Sequence, residues 1–577
     1  MEMLMNKNWK ILQPDTELVE KISSVMNCSR VAAAVMVNRN IVSPEKASRF
    51  MKAELRNLRP PFSMKDTDIA VRRIYDALMK REKILIFGDY DVDGVTGTTL
   101  LLEFLQDAGA NVSYYIPHRV KEGYNIQPFH ISDHAIPKKI NLIITVDCGS
   151  GSSEAVRRAT DAGIDVIITD HHNISGTMPG AVAVVNPKRP DCTAGFDNLA
   201  GVGVAFFLLI CLRKYLRETD FWKGRREPNL RNFCDLVALG TIADVVPLVD
   251  ENRILSKTGL ELINSPSRPG IKALIKACAI SNYAVATEDI SFRLAPRLNA
   301  AGRMGHASMA VSLLTTDDME KAREIASSLN LMNQDRQSIE RNIFDQIVEY
   351  LKEHPHLTRK STIVLSHPGW HEGILGIVAS RVVRRYFRPV ILIGTRNGTG
   401  KGSGRSIPGV DIHAGLLACA NDLEHFGGHP MAAGLTIKSE NIPRFQEHFE
   451  NAIQDISSDG DFIQTISIDL ELDFDRITDH LIDELESLEP FGEGNPEPLF
   501  MARDIRVATS KIVGKNHRRM TLTQKLSDRR MSRPVNAIQF NINPEQGLPN
   551  RFHQIAFRLG WNRWNGRRTA QITLEET

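Results

Sequence analysis

The chain lacks paired cysteines. Its seven (Cys28, Cys148, Cys192, Cys211, Cys234, Cys278 and Cys419) are scattered, odd in number and never spaced as CxxC. That argues against a disulfide scaffold and a thiolate zinc site, and predicts reduced thiols. Long apolar runs are also missing. The longest, Val202 to Leu212, has 11 residues; it is too short to cross a bilayer and reads as a buried helix. Met1 to Lys21 carries charge throughout, with no apolar core of a signal peptide. A soluble cytoplasmic protein without a membrane partner is the expectation. Net charge is nearly absent, since 71 Lys and Arg against 69 Asp and Glu leave +2. A nucleic-acid surface would therefore be local, offset by acidic surface elsewhere. Internal repeats and low-complexity segments are lacking too.

What is present is 577 residues of ordinary composition, 42% hydrophobic and 24% charged, enough for roughly three or four domains. Residues 1 to 75 read as amphipathic helix. Short apolar runs then alternate with helical stretches: strands at Ile84–Phe87, Val112–Ile116, Leu142–Val146, Asp165–Thr169 and Ala181–Val185, helices at Thr98–Gln106 and Ser153–Ala162. This is the pattern of a parallel sheet covered by helices. Residues 200 to 310 are mainly helical. A long helix follows, with Asp317 as its expected cap and apolar positions from Ile325 to Leu351 at three- and four-residue steps. A second α/β unit covers Thr362 to Ile456. From about 462 the pattern becomes five or six strands in about 115 residues, which suggests a small barrel with the OB-fold as leading candidate.

Acidic and histidine residues fall where these strands end. Gly88-Asp89-Tyr90-Asp91-Val92-Asp93-Gly94 follows the first strand, Asp147 the third, and Asp170-His171-His172 the fourth. The carboxyl edge of a parallel sheet is where such folds place their sites. Asp244 comes later, a lone carboxylate in Gly240-Thr241-Ile242-Ala243-Asp244-Val245-Val246-Pro247. Singly, a post-strand aspartate is commonly a helix N-cap and a His-His pair a surface loop. Together they point to a metal centre. Carboxylates with one or two imidazoles and no thiolate favour Mn²⁺ or Mg²⁺, with ligands enough for two ions; two-metal sites typically cleave phosphate esters.

These residues, in this order, resemble the DHH phosphoesterase superfamily. Gly427-Gly428-His429-Pro430-Met431-Ala432-Ala433-Gly434 is similar to the GGHxxAAG signature of its second domain, and Gly402-Ser403-Gly404-Arg405-Ser406 to its substrate-phosphate loop. Trp370 to Arg381, Arg297 to Arg303 and Pro490 to Pro496 resemble one branch, the bacterial RecJ single-strand-specific exonucleases. The likeness runs over nearly the whole chain. It implies a helical segment (1–75) packing on the catalytic domain, a DHH catalytic domain (76–315), a connecting helix (316–355), a DHHA1 substrate-binding domain (356–460) and an OB-fold nucleic-acid-binding domain (461–577).

The activity implied is 5′→3′ degradation of single-stranded DNA to 5′-mononucleotides by two ions, Mn²⁺ or Mg²⁺, in DNA recombination and repair. By the same resemblance Asp91 and Asp147 serve one metal. Asp93, Asp147, His171 and Asp244 serve the other, and Asp89 is a ligand or an acceptor beside it. His172 faces the scissile phosphate or supports the site. Phe87 stands where many members have histidine. Arg119, Arg303, Ser403, Arg405 and His429 are the substrate-binding candidates, Ser403 and Arg405 on a flexible Gly-x-Gly loop. Single-strand-binding protein and a RecQ-type helicase are the implied protein partners. In the barrel, Arg551, Arg558, Arg563, Arg567 and Arg568 interleave with Phe552, Phe557, Trp561 and Trp564, which suits strand binding by stacking and backbone contacts. The alternatives are a phosphoesterase for short oligonucleotides, an RNA-directed nuclease and an inactive DNA-binding scaffold.

Overall fold

A computed structural model describes residues 7–174, 176–280, 283–543, 547, 549–564 and 567–576. They divide into two units. Pro61–Asp244 and Leu262–Gln464 form the bulk of one; Trp9–Pro60, Val245–Glu261 and Thr465–Thr577 form the other. Among the described residues no helix is long and apolar enough to cross a membrane.

The chain begins with β1 (Asn8–Ile11) and three short helices, α1 (Thr16–Met26), α2 (Arg30–Asn38) and α3 (Pro44–Met51). Asp15, Ser29 and Ser43 start these helices by accepting backbone N–H groups of their first turns. Next comes α4 (Thr67–Lys80). The array that follows is β2 (Lys83–Gly88), α5 (Val92–Asp107), β3 (Asn111–Tyr115), the single turn α6 (Pro128–His130), β4 (Leu142–Val146), α7 (Ser153–Asp161), β5 (Asp165–Thr169) and β6 (Ala183–Val185). All five paired strands are parallel, in the order β3-β2-β4-β5-β6. Every residue of β4 is buried. Burial on both faces explains why these strands read as unbroken apolar runs. The chain leaves β2 for the edge strand β3 and returns to β4, so the winding reverses between β2 and β4, where open α/β sheets leave a crevice.

Helices then dominate: α8 (Gly201–Glu218), α9 (Cys234–Ala243), α10 (Asp250–Asn264), α11 (Pro269–Ala277), the single turn α12 (Thr287–Asp289), α13 (Ala295–Met304) and α14 (Ser308–Thr315). They lead to α15 (Met319–Glu353), whose 35 residues make a rod of about 50 Å. Its cap is Asp318, not Asp317: the Asp318 carboxylate accepts from Glu320 and Lys321 N–H.

The second α/β layer holds β7 (Ile363–His367), α16 (Glu372–Tyr386), β8 (Val390–Arg396), β9 (Thr399–Arg405), α17 (Ile412–Ala418), β10 (His425–His429), β11 (Ala432–Lys438) and α18 (Ile442–Ile456). Its strand order is β10-β11-β9-β8-β7, with only β7 and β8 parallel. This corrects the expectation of a flexible loop at Gly402–Ser406. Gly402 to Arg405 lie in β9, paired on both sides. The reason is packing: a Cβ at Gly400, Gly402 or Gly404 would come within 2.7, 2.8 or 2.7 Å of Ile393, Leu435 or Ile412. The glycines let the strand lie close to its core, while Ser403 and Arg405 alternate to the other face.

The remaining elements are β12 (Thr465–Ile468), β13 (Leu470–Glu471), α19 (Asp479–Glu486), β14 (Phe500–Val513), β15 (His517–Gln524), β16 (Val535–Gln539), β17 (Arg551–Trp564) and β18 (Arg567–Glu576). β14, β15, β16, β18 and β17 pair in a ring that closes through β17 and β14, a five-stranded barrel. Its core of Phe500, Leu522, Ile555 and Phe557 also takes in Val19, Ile22, Val35 and Met36. The expected packing of residues 1–75 on the catalytic sheet is thereby corrected. Helices α1 to α3 bury their apolar faces against the barrel, and only α4 joins the parallel-sheet layer, where it lies on α8.

Candidate metal centre

The site is assembled at the carboxyl edge of the parallel sheet. After β2 the chain makes a turn so tight that a Cβ at Gly94 would stand 2.6 Å from the Asp89 carbonyl oxygen. Asp91 caps α5 by accepting the Gly94 N–H at 3.1 Å. Asp93 lies in that first turn, and both its oxygens accept backbone N–H groups at the start of α8, from Gly201 at 2.6 Å and Val202 at 2.8 Å. Asp147 follows β4 with a left-handed φ of 60°, a conformation that sparse sterics allow best to short polar residues. Glycines let the helices close in: a Cβ at Gly201 would meet Asp147, and one at Gly240 would meet Asp93. Asp244 ends α9.

Three groups of ligand-type atoms result, each within 4.8 Å: Asp89, Asp91 and Asp147; Asp93, His171 and Asp244; and Asp147, His171 and His172. His171 Nε2 is 3.1 Å from Asp147, 3.5 Å from Asp244 and 3.8 Å from Asp93. The structure thus brings together Asp89, Asp91, Asp93, Asp147, His171, His172 and Asp244 from four distant segments. Asp89 Oδ1, Asp147 Oδ1 and both ring nitrogens of His171 are buried without a hydrogen-bond partner. Unpaired buried carboxylates are costly; a divalent cation satisfies them, so the donor set fits one.

The electrostatics agree. Burial, then mutual repulsion with neighbouring aspartates, lifts Asp89 and Asp147 well above the carboxylate range. It raises Asp93 to about 7 and Asp244 to about 9. Burial, then the charge of His172, pushes His171 down to about 3, which leaves a neutral imidazole suited to ligation. His172 behaves oppositely. Burial disfavours its charge, yet the bond from Nδ1 to Asp170 at 2.8 Å raises it to about 9.

Asp170, which the sequence reasoning left without a role, belongs to none of the three groups. It accepts from Ser150 N–H, His171 N–H, His172 N–H and His172 Nδ1. Against the upward push of burial, the bond and charge of His172 hold it below the usual range. It orients both histidines; its place directly before them was the available signal. Tyr124 was also missed: its hydroxyl donates to the Asp147 carbonyl at 3.1 Å and lies 3.1 Å from His172 Nδ1. Phe87 turns away from the centre. Its buried ring stacks on Tyr115 and meets His130 edge-on, and Asp89 is the residue that joins Asp91 and Asp147.

Cations collect nearby. The Arg119 guanidinium lies 4.7 Å over the Tyr90 ring. Arg303 donates to the Gly373 carbonyl at 3.0 Å, and Arg405 to the Gly404 carbonyl at 2.7 Å and Ser403 Oγ at 3.3 Å. A Cβ at Gly376 of α16 would strike Ser403 and Arg405. Burial, then the charges of Arg119, Arg336 and Arg405, lowers Arg303 to about 9, and burial and Arg119 lower Arg405. Such a concentration of half-buried positive charge calls for an anion. His429 on β10 is lowered by burial, then by the charges of His172 and Lys188. Lys188, whose charge bears on His171, Asp244 and His429, had no sequence signal.

The basic and aromatic face expected on the barrel is corrected in part: two of its aromatics turn inward, while Arg551 and Arg567 stay exposed. Phe552 and Phe557 are core residues. Arg558 pairs with Glu497 and Glu575, Arg563 with Glu486, and Arg568 with Asp483 while lying over Trp561. Trp561 also donates to Asp483. The side chain of Trp564 lies outside the described residues.

Comparison with known proteins accords with this arrangement. Residues 83–241 match the model of the DHH family, N-terminal domain, residues 359–455 that of the DHHA1 domain, and residues 468–576 that of the RecJ OB domain. The chain is 36% identical over 575 residues to the single-stranded-DNA-specific exonuclease RecJ of Bacillus subtilis, covering 98% of this chain and 70% of that one. It is 35% identical over 559 residues to the Escherichia coli protein of the same name, covering 93% and 94%. The crystal structure of RecJ in complex with Mn²⁺ from Thermus thermophilus superposes with a TM-score of 0.82 at 30% identity, over 99% of this chain and 79% of that one. Three matching domains in the family's order, with an acidic cluster at the sheet edge, mean that this chain belongs to the RecJ family.

Proposed function

We infer that the chain is a metal-dependent exonuclease specific for single-stranded DNA, working from 5′ to 3′ and releasing 5′-mononucleotides. The observation that carries this is the set of buried, unpartnered carboxylate and imidazole atoms at one sheet edge, beside the half-buried arginines Arg119, Arg303 and Arg405. Asp89, Asp91 and Asp147 hold one ion; Asp93, Asp147, His171 and Asp244 hold the other. When bound, two divalent ions, Mn²⁺ or Mg²⁺, acidify a water and neutralise the leaving oxygen.

The protein's own groups do the rest. His172, kept cationic by Asp170, faces the scissile phosphate. Arg119, Arg303, Ser403, Arg405 and His429 grip a 5′-terminal phosphate, which sets the direction of travel. Asp93, tied to the α8 N-terminus, fixes the geometry between sheet and helix. The barrel matched to the RecJ OB domain favours long strands over the oligonucleotide-specific alternative. Action in the cytoplasm in recombination and repair, with single-strand-binding protein and a RecQ-type helicase as partners, completes the proposal. Product lengths from 5′-labelled single and double strands, with and without Mn²⁺, test it. Mononucleotides released from single strands only, and only with metal, are expected; cleavage within a circular single strand overturns the exonuclease reading.

A further inference from the structure

The loop between β3 and α6, residues 116–127, has no regular structure, yet three of its residues reach the centre. Arg119 lies over Tyr90, Tyr124 contacts the Asp147 carbonyl and His172, and Asn125 Oδ1 accepts the Gly149 N–H at 2.7 Å. Glu122 stands among these residues in sequence but makes its bonds elsewhere. Its Oε2 accepts the Tyr115 hydroxyl at 3.1 Å and the His118 N–H at 3.1 Å, and lies 3.3 Å from His130 Nε2. These partners come from the strand before the loop, the loop's first turn and the helical turn after it. His130 is 2% exposed, and its other ring nitrogen accepts the Gln127 N–H at 2.9 Å. His118 Nδ1 accepts from Val120 and Lys121 N–H. One carboxylate oxygen thus gathers both ends of the loop.

We propose that Glu122 is a positioning residue, whose carboxylate holds the 116–127 loop in the shape that presents Arg119 to the 5′ phosphate and Tyr124 to His172. A free loop of this length samples many conformers, and ordering it opposes binding. A loop knotted in advance escapes that penalty. The proposal rests on reading Arg119 as a phosphate contact, and the experiment separates the two ideas. In Glu122→Ala, hydrogen exchange of the 117–126 amides should rise about tenfold or more. KM for 5′-phosphorylated single strands should rise by roughly tenfold, with a smaller fall in kcat. In an Arg119→Ala background the same substitution should add little to KM, because the group it positions is gone. Tyr115→Phe, which removes one donor and keeps the ring, should show the same pattern more weakly if Glu122→Ala fails to fold. Unchanged loop exchange overturns the positioning role. Raised exchange with an unchanged KM leaves Glu122 holding the loop and overturns its link to substrate; an unchanged KM in Arg119→Ala alone overturns the reading of Arg119 instead. Fully additive losses with Arg119→Ala also overturn that link.

Discussion

Two regions of this chain carry dense charge, and the structure treats them in opposite ways. At the edge of the parallel sheet, Asp89, Asp93 and Asp147 are buried, and Asp89 and Asp147 each keep an oxygen without a partner. On the barrel, Arg558, Arg563 and Arg568 are half-buried or exposed, and each is answered by a carboxylate. The first arrangement calls for an outside cation; the three pairs of the second do not. Charge density therefore does not mark function. Charge that the fold buries and leaves unanswered does.

Substitutions can break or sharpen this contrast. Asp147 stands in two of the three ligand groups, so Asp147→Ala should lower kcat by about a thousandfold or more, with strand affinity in Ca²⁺ nearly unchanged by fluorescence anisotropy. Retained cleavage would remove the contrast at its source. Asp170→Asn keeps the size but weakens the hold on both histidines; a loss of about 10- to 100-fold in activity or Mn²⁺ affinity is expected, read by titrating Mn²⁺ in the cleavage assay. Arg405→Ala should reduce the preference for a 5′-phosphate over a 5′-hydroxyl end by about tenfold, measured as the ratio of kcat/KM values. At the other pole, Arg563→Gln breaks an exposed pair with Glu486 and should change single-strand affinity by less than about fivefold. A larger loss would show that the barrel's answered charges still serve the substrate.

Strands of the parallel sheet were legible because burial on both faces leaves apolar runs that few other elements produce; Leu142–Val146 and Asp165–Thr169 match to the residue. The start of α5 was not. Val92 to Gly97 mixes β-branched residues with two glycines, a poor helix by propensity. Tertiary contact overrides this: a Cβ at Gly97 would meet Val146 at 2.5 Å and the Val202 backbone at 3.3 Å. The same error made a loop of β9, where glycine meant closeness, not freedom. The clustering of Asp89, Asp91, Asp93, Asp147 and His171 could be inferred because topology places strand ends together; Asp244, which ends a helix, was joined to them by the family resemblance. Asp170 was passed over because a residue that only accepts hydrogen bonds from its neighbours has no spacing of its own. The partner of α1 to α3 was illegible for a different reason, since an amphipathic face specifies burial and not against what.

That last pairing bears on how the chain comes to be made. Asn38 donates to Asp469, a residue 431 positions later, and Val19 to Met36 share a core with strands near the carboxyl end. At ordinary elongation rates the ribosome needs on the order of a minute to supply the intervening residues. Through that interval the first three helices emerge with their apolar sides unsatisfied, while the parallel sheet can already close. The segment of α1 to α3 therefore leaves the tunnel well before the barrel that covers it, the stretch in which a holding chaperone has most to protect.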